Sequence, residues 1–279
     1  MLDKVKSFAM DAAERERLAR DGYVVRDGVF SPDELEAIAA DCEAMVRELE
    51  TAKRNTKHRV GSYMFEALDD VDTIVKWEPD FPDVVQGVEP FAHISEPLKA
   101  WGLDPRLVDP CKAIVGEDAL DLFTEKLNVK RAKHGGSIIL HQDYPYWENM
   151  TPIAHQVATA MIFLDDADRE NGCLEAAPGS HTVGKHPQRT DADGFGSLEM
   201  DTGQFDMRRL VPLEVKAGAV VFFGAFLVHR SLPNRSDRDR RALLYSYQPA
   251  GQPHAVELNR YFRESRSERL AERAAEEAR

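Results

Sequence analysis

Apolar positions along the chain follow two periods, which predict two kinds of element. Leu35, Ile38, Ala39, Cys42, Met45, Val46 and Leu49 recur at helical spacing. The preceding Ser31-Pro32-Asp33-Glu34 supplies a serine cap, a proline at the first helical position and acids in the first turn. Runs rich in β-branched, aromatic and other apolar residues predict strands over residues 126–130, 157–164, 220–229 (through Gly224) and 241–247. The polar stretch Pro233-Asn234-Arg235-Ser236-Asp237 reads as a turn, making His229 the end of one strand and Arg240 the start of its partner. Prolines 79, 82, 90, 97, 105 and 110 break residues 51–110 into short segments, a region where substrate contacts are expected. Residues 184–207 lack a sustained apolar period and exceed ordinary connection lengths, so they read as a functional lid or as a surface insertion. From Glu257 to Arg279 the chain is dense in Arg and Glu, the composition of a solvated helix with a fraying end.

Composition narrows the class. A chain of 279 residues suits one domain, with a core over about 15–250 and a charged tail over 257–279. The net charge of −13, from 49 acidic against 36 basic residues, opposes a nucleic-acid partner, because phosphate neutralisation needs clustered Lys and Arg. Cys42, Cys111 and Cys173 are odd in number and widely spaced, which indicates core thiols rather than a disulfide framework or a zinc motif. No apolar run approaches the roughly 20 residues of a membrane span, and Met1-Leu2-Asp3-Lys4 opens no signal-peptide core. A cytoplasmic protein without a membrane partner is expected, and no sequence feature fixes its oligomeric state.

The chemistry concentrates in His141-Gln142-Asp143. In an extended strand residues i and i+2 share a face, so His141 and Asp143 can reach one ion. His229, 88 residues on, would complete a two-histidine, one-carboxylate facial triad. Such a set suits Fe(II) and leaves about three octahedral positions open for substrate and oxygen. Arg240 follows 11 residues later, and a guanidinium can donate two parallel hydrogen bonds to a carboxylate, which lysine cannot match. A dicarboxylate cosubstrate is therefore expected: 2-oxoglutarate would chelate iron through its keto acid while Arg240, helped by Ser231, anchors the distal end. Arg241 competes for that role, since a shift of one residue reverses the face. Of the remaining histidines, His155 and His181 have no partner at ligand spacing, and His58, His93, His134, His186 and His254 lie in polar or loop-like settings.

Several blocks occur in an order that resembles the phytanoyl-CoA dioxygenase-like (PhyH) Fe(II)/2-oxoglutarate oxygenases: residues 22–31, 126–130, the metal motif from His141 to Trp147, Asn171-Gly172 through His181, and His229-x-Ser231 through Leu243. The resemblance covers about 15–250 and aligns the family's cosubstrate arginine with Arg240. It implies a mainly β fold with added α, a double-stranded β-helix (a jelly-roll, cupin-like barrel) with flanking helices and the metal at one mouth. It also implies Fe(II), 2-oxoglutarate and O2 as cofactor and cosubstrates. Lys126, Asn128 and Thr159, on strands flanking the motif, would point to the cosubstrate or serve structure alone. Tyr144, Tyr146 and Trp147 would line the pocket mouth or fill core. The implied activity is hydroxylation of a C–H bond in a small molecule, with release of succinate and CO2. In related halogenases a small residue replaces the carboxylate that Asp143 retains here, which favours hydroxylation over halogenation. Desaturation, cyclisation and epimerisation stay open. A zinc hydrolase using the same ligands and a non-catalytic ligand-binding barrel are the other classes, and the intact triad with its arginine argues against both. Fatty acyl thioesters, amino acid derivatives, alkylphosphonates and secondary metabolites all remain compatible. Arg208-Arg209 and Lys53-Arg54 are candidate clamps for a nucleotide-bearing thioester.

Overall fold

The computed structural model describes residues 7–49, 54–60, 62–190 and 196–259. The charged tail, apart from its first three residues, and Lys53 of the candidate clamp lie outside them. The helices are α1 (Ala12–Asp21), α2 (Pro32–Leu49), α3 (Glu96–Gly102), α4 (Pro105–Val115) and the single turn α5 (Tyr144–Trp147). The strands are β1 (Tyr23–Arg26), β2 (His58–Val60), β3 (Tyr63–Leu68), β4 (Thr73–Glu78), β5 (Phe81–Glu89), β6 (Leu120–Lys130), β7 (Ile138–His141), β8 (Ala158–Phe163), β9 (Leu174–Ala176), β10 (Gln188–Thr190), β11 (Gly196–Met200), β12 (Val211–Leu213), β13 (Val220–Gly224), β14 (His229–Ser231) and β15 (Arg240–Pro249). A nine-stranded sheet runs β1-β13-β8-β15-β6-β5-β4-β3-β2 and a four-stranded sheet runs β12-β9-β14-β7; β10 and β11 pair separately.

The central strands of the large sheet read as continuous apolar runs because both of their faces are covered. Leu127, Val129, Ala160, Ile162, Phe222 and Leu243 turn outward and pack with Ile38, Cys42 and Met45 of α2 and Leu107 and Cys111 of α4. Their alternates Met161, Phe163, Val221, Phe223 and Ala242 turn inward onto Leu174, Ala176 and Leu213 of the small sheet. Tyr245 and Tyr247 donate hydroxyl hydrogen bonds to the carbonyls of Leu98 and Gly102, at 2.5 and 2.8 Å, and so tie α3 to the outer face. The predicted start of α2 forms as a capping box, with the Ser31 amide donating to Glu34 Oε2 at 2.8 Å and the Glu34 amide to Ser31 Oγ at 3.3 Å.

Three expectations are corrected. The cupin-like, mainly β architecture with flanking helices holds, but its two facing sheets are open rather than closed into a barrel. His229 begins β14 in the small sheet, whereas Arg240 begins β15 in the large one, paired to β6 and β8. The two residues are therefore not on partner strands: after Gly224 the chain crosses between layers, and it crosses back through residues 232–239. Residues 184–207 are not one irregular loop; they carry β10, β11 and a 3-10 turn, and Met200 and Phe205 pack on Leu140, Ala177 and Val228. No helix among the described residues is long and apolar enough to cross a membrane.

Candidate metal centre

His141 and His229 face each other across the β7–β14 ladder, with ring centroids 4.2 Å apart. Asp143 reaches the same point by a route other than strand alternation. β7 ends at His141, and Asp143 lies beyond it in the right-handed helical region (φ −73°, ψ −30°), capping α5. Gln142 fixes this corner: its amide donates to the carbonyls of Gly184 (2.8 Å) and Phe226 (2.7 Å) and accepts from the His186 amide (2.8 Å). One potential ligand atom from each of His141, Asp143 and His229 falls within 4.8 Å of the others, and all three residues are buried.

The histidines are oriented as ligands. Nδ1 of His141 lies 2.8 Å from the Ile139 carbonyl and Nδ1 of His229 3.0 Å from the Leu227 carbonyl. A carbonyl only accepts, so each Nδ1 donates to it, and Nε2 is the ring nitrogen left to face a metal. Burial and the neighbouring His141 push the His229 imidazolium down to about 4. Burial pushes the Asp143 carboxyl up, but the His141 hydrogen bond and the charges of His229, His141 and Lys126 prevail and hold it at about 2. Two imidazoles and a carboxylate converge, a donor set that fits ferrous iron with open positions.

Arg240 is 0% exposed and shares the cavity with the triad. Its Nη2 donates to the Gly172 carbonyl at 3.0 Å and lies 3.5 Å from Ser231 Oγ, while Nε and Nη1 have no partner among the described residues. Burial lowers its pKa to about 10, which leaves it charged at neutral pH. A buried cation with two unfilled donors in this cavity fits a carboxylate of the cosubstrate. Gly172 allows the arrangement: its φ is +77°, and a Cβ there would stand 2.2 Å from the Leu232 carbonyl oxygen. Arg241 points the other way and pairs with Asp165 at 2.9 Å.

Ser231, Asn128 and Lys126 line the same cavity. Lys126 pairs with Glu89 at 2.9 Å. Thr159 is not among the lining residues; it is buried with its hydroxyl 2.9 Å from Ser246 Oγ. Tyr146 and Trp147 line the cavity, while Tyr144 stacks on Phe226 at 4.5 Å. The wall facing the metal comes largely from β3–β5, through Tyr63, Ile74, Lys76 and Glu89. Sequence reasoning expected substrate contacts somewhere in residues 51–110 but singled out none of these. In the strand pattern Lys76 lies between Ile74 and Glu78 on the face opposite the buried Val75 and Trp77.

A facial triad buried between two antiparallel sheets is the donor set of a mononuclear non-haem iron site of the cupin-like kind and could hold such an ion here. The chain belongs to the phytanoyl-CoA dioxygenase (PhyH) family of Fe(II)/2-oxoglutarate oxygenases, whose model matches residues 18–242. It is 31% identical over 160 residues to a 2-aminoethylphosphonate dioxygenase from uncultured bacterium HF130_AEPn_1, covering 57% of each chain. It is 29% identical over 177 residues to a methylphosphonate hydroxylase from Gimesia maris, covering 62% of this chain and 64% of that one. The matched stretches thus span less than two thirds of either relative. Among solved structures, EctD from S. alaskensis with 2-oxoglutarate and 5-hydroxyectoine has the same fold, at a TM-score of 0.66 and 20% identity over 88% of this chain and 78% of that one.

Proposed function

We propose that the protein is an Fe(II)- and 2-oxoglutarate-dependent dioxygenase that hydroxylates a C–H bond of a small-molecule metabolite. The observation that carries this reading is the pairing, in one cavity, of the triad with a buried arginine that has two free donors. A zinc hydrolase would use the triad but has no role for Arg240. His141, Asp143 and His229 would hold the iron, while Arg240 and Ser231 would bind the distal carboxylate of the cosubstrate, with Asn128 beside it on the cavity wall. When bound, iron and 2-oxoglutarate supply oxidation by O2, giving succinate, CO2 and one oxygen atom for the substrate. The chain contributes placement and exclusion of water: Met161, Leu174, Phe223 and Leu244 form apolar walls beside the arginine. Asp143 keeps the carboxylate whose loss would open a place for halide, which supports hydroxylation.

The test is turnover with candidate metabolites, beginning with 2-aminoethylphosphonate and methylphosphonate, the substrates in the relatives' names. Succinate should form only with Fe(II) and O2 together, and the product should gain one oxygen atom. A product that has lost two hydrogens would replace hydroxylation by desaturation or cyclisation. Metal-dependent hydrolysis without consumption of 2-oxoglutarate would overturn the oxygenase reading.

A further inference from the structure

Lys76 is the cavity's unmatched cation. It lines the space beside the triad, with Nζ 3.3 Å from the centroid of the Tyr63 ring, and no carboxylate among the described residues is within ion-pair distance of it. The other lysine and arginine near the metal side of the lining are paired. Lys126 pairs with Glu89 at 2.9 Å and Arg230 with Glu175 at 2.6 Å. Lys130, opposite Arg240 in the ladder, is not part of the lining and donates to the carbonyls of Gly136 and Leu232, so it stands outside this count. Granting the oxygenase reading on which this inference rests, Fe(II) and the two carboxylates of 2-oxoglutarate cancel, and Asp143 and Arg240 cancel. One positive charge is left over.

The position of Lys76 is built rather than incidental. Lys76, Gly87 and Asn128 follow one another across β4, β5 and β6, and the central residue of the row has no side chain. A Cβ on Gly87 would lie 2.9 Å from the Leu127 carbonyl oxygen and 3.4 Å from Asn128 Oδ1. Tyr63, whose ring carries the ammonium, accepts a hydrogen bond from the Ile139 amide at 3.0 Å, two residues before the first metal ligand. The ring thereby ties Lys76 to the strand that carries His141. Burial and the charge of Lys126 push the Lys76 ammonium down to about 7, so the empty cavity holds this proton weakly and an incoming anion would hold it firmly.

We propose that Lys76 binds a compact oxyanion at one end of the substrate, a carboxylate or a phosphorus oxyanion, and so acts as a specificity-determining residue. A lysine is a point charge with three donors and selects charge without demanding planar geometry. Ile74, Ile138 and Trp147 offer an apolar surface for the rest of the molecule.

The test is anaerobic calorimetry of the Fe(II)-loaded protein, with and without 2-oxoglutarate, using butyrate, propylphosphonate and the neutral isostere butyramide. With cosubstrate bound, the anions should bind at least about tenfold more tightly than butyramide. Lys76→Met should remove that margin, and Lys76→Arg should restore most of it. Which anion binds more tightly identifies the head group. The affinity for 2-oxoglutarate should be the same in all three proteins. Equal binding of butyramide and the anions, or a margin that survives Lys76→Met, would overturn the proposal. Failure of 2-oxoglutarate to bind wild-type protein would instead count against the oxygenase reading, and the difference between wild type and Lys76→Met without cosubstrate would still decide the role of Lys76.

Discussion

Arg240 is held ready for a ligand at a cost to the empty protein. Each buried donor left without a partner costs about 1–3 kcal/mol, and Arg240 has two. Arg240→Met should therefore leave the thermal midpoint of the metal-free protein unchanged or raised. The same substitution removes charge-assisted hydrogen bonds and should raise KM for 2-oxoglutarate by roughly 100-fold. Arg240→Lys should fall between the two, because it keeps the charge and loses the fork. Steady-state kinetics and a melting curve check both halves, and an unchanged KM would contradict the assignment. His229 gives the pH dependence. Its folded pKa, about 4 through burial and the neighbouring His141, lies below the roughly 6.5 of an unfolded histidine. Between these values the unfolded chain binds more protons than the folded one, so stability rises with pH across the window and is lost as pH falls from about 6.5 toward 4. Melting curves of metal-free protein should show this slope, and His229→Gln should flatten it.

At the scale of elements, much of the fold was legible and its connections were not. The start of α2 could be read because the cap, the first-turn acids and the 3.6-residue period agree. The strands β6, β8, β13 and β15 announced themselves through apolar runs, which report burial on both faces. Such runs do not say which sheet a strand joins, and for that reason His229 and Arg240 were read as neighbours on partner strands. His141 and Asp143 were grouped by strand alternation, yet they converge through a strand end followed by a helical corner held by Gln142. Lys76 was missed because a lysine in a short strand ordinarily faces water; only the third dimension puts it on a cavity wall. The Asn171-Gly172 motif gains a physical meaning that its letters lacked. Asn171 closes its turn by donating to the Asp166 carbonyl at 2.7 Å, and Gly172 presents its own carbonyl to Arg240. Gly172→Ala must accommodate a positive φ and a collision with backbone, which should destabilise the protein by about 2 kcal/mol and weaken cosubstrate binding as well. Chemical denaturation with a parallel KM measurement checks this, and a neutral effect on both would show that the loop relaxes freely.

Across the whole molecule, the site is assembled from segments far apart in the chain: β3–β5 for the wall, β6 and β15 for the cosubstrate side, and β7 and β14 for the metal. Packing of the two layers brings them together, with helices α2–α4 covering the outer face of the large sheet. The family pattern announced that layered plan from its motif blocks, whereas the open edges of the sheets had no sequence signature. The central claim is that one cavity binds Fe(II) through His141, Asp143 and His229 and 2-oxoglutarate through Arg240. Anaerobic titration of metal-free protein with Fe(II) and then 2-oxoglutarate tests it most directly, through the visible charge-transfer absorption of the chelated keto acid. The account predicts a saturable band in the wild type, no band in His141→Ala, and a band in Arg240→Met that needs roughly 100-fold more 2-oxoglutarate. A folded, iron-loaded wild-type protein that shows no band at any cosubstrate concentration would contradict it.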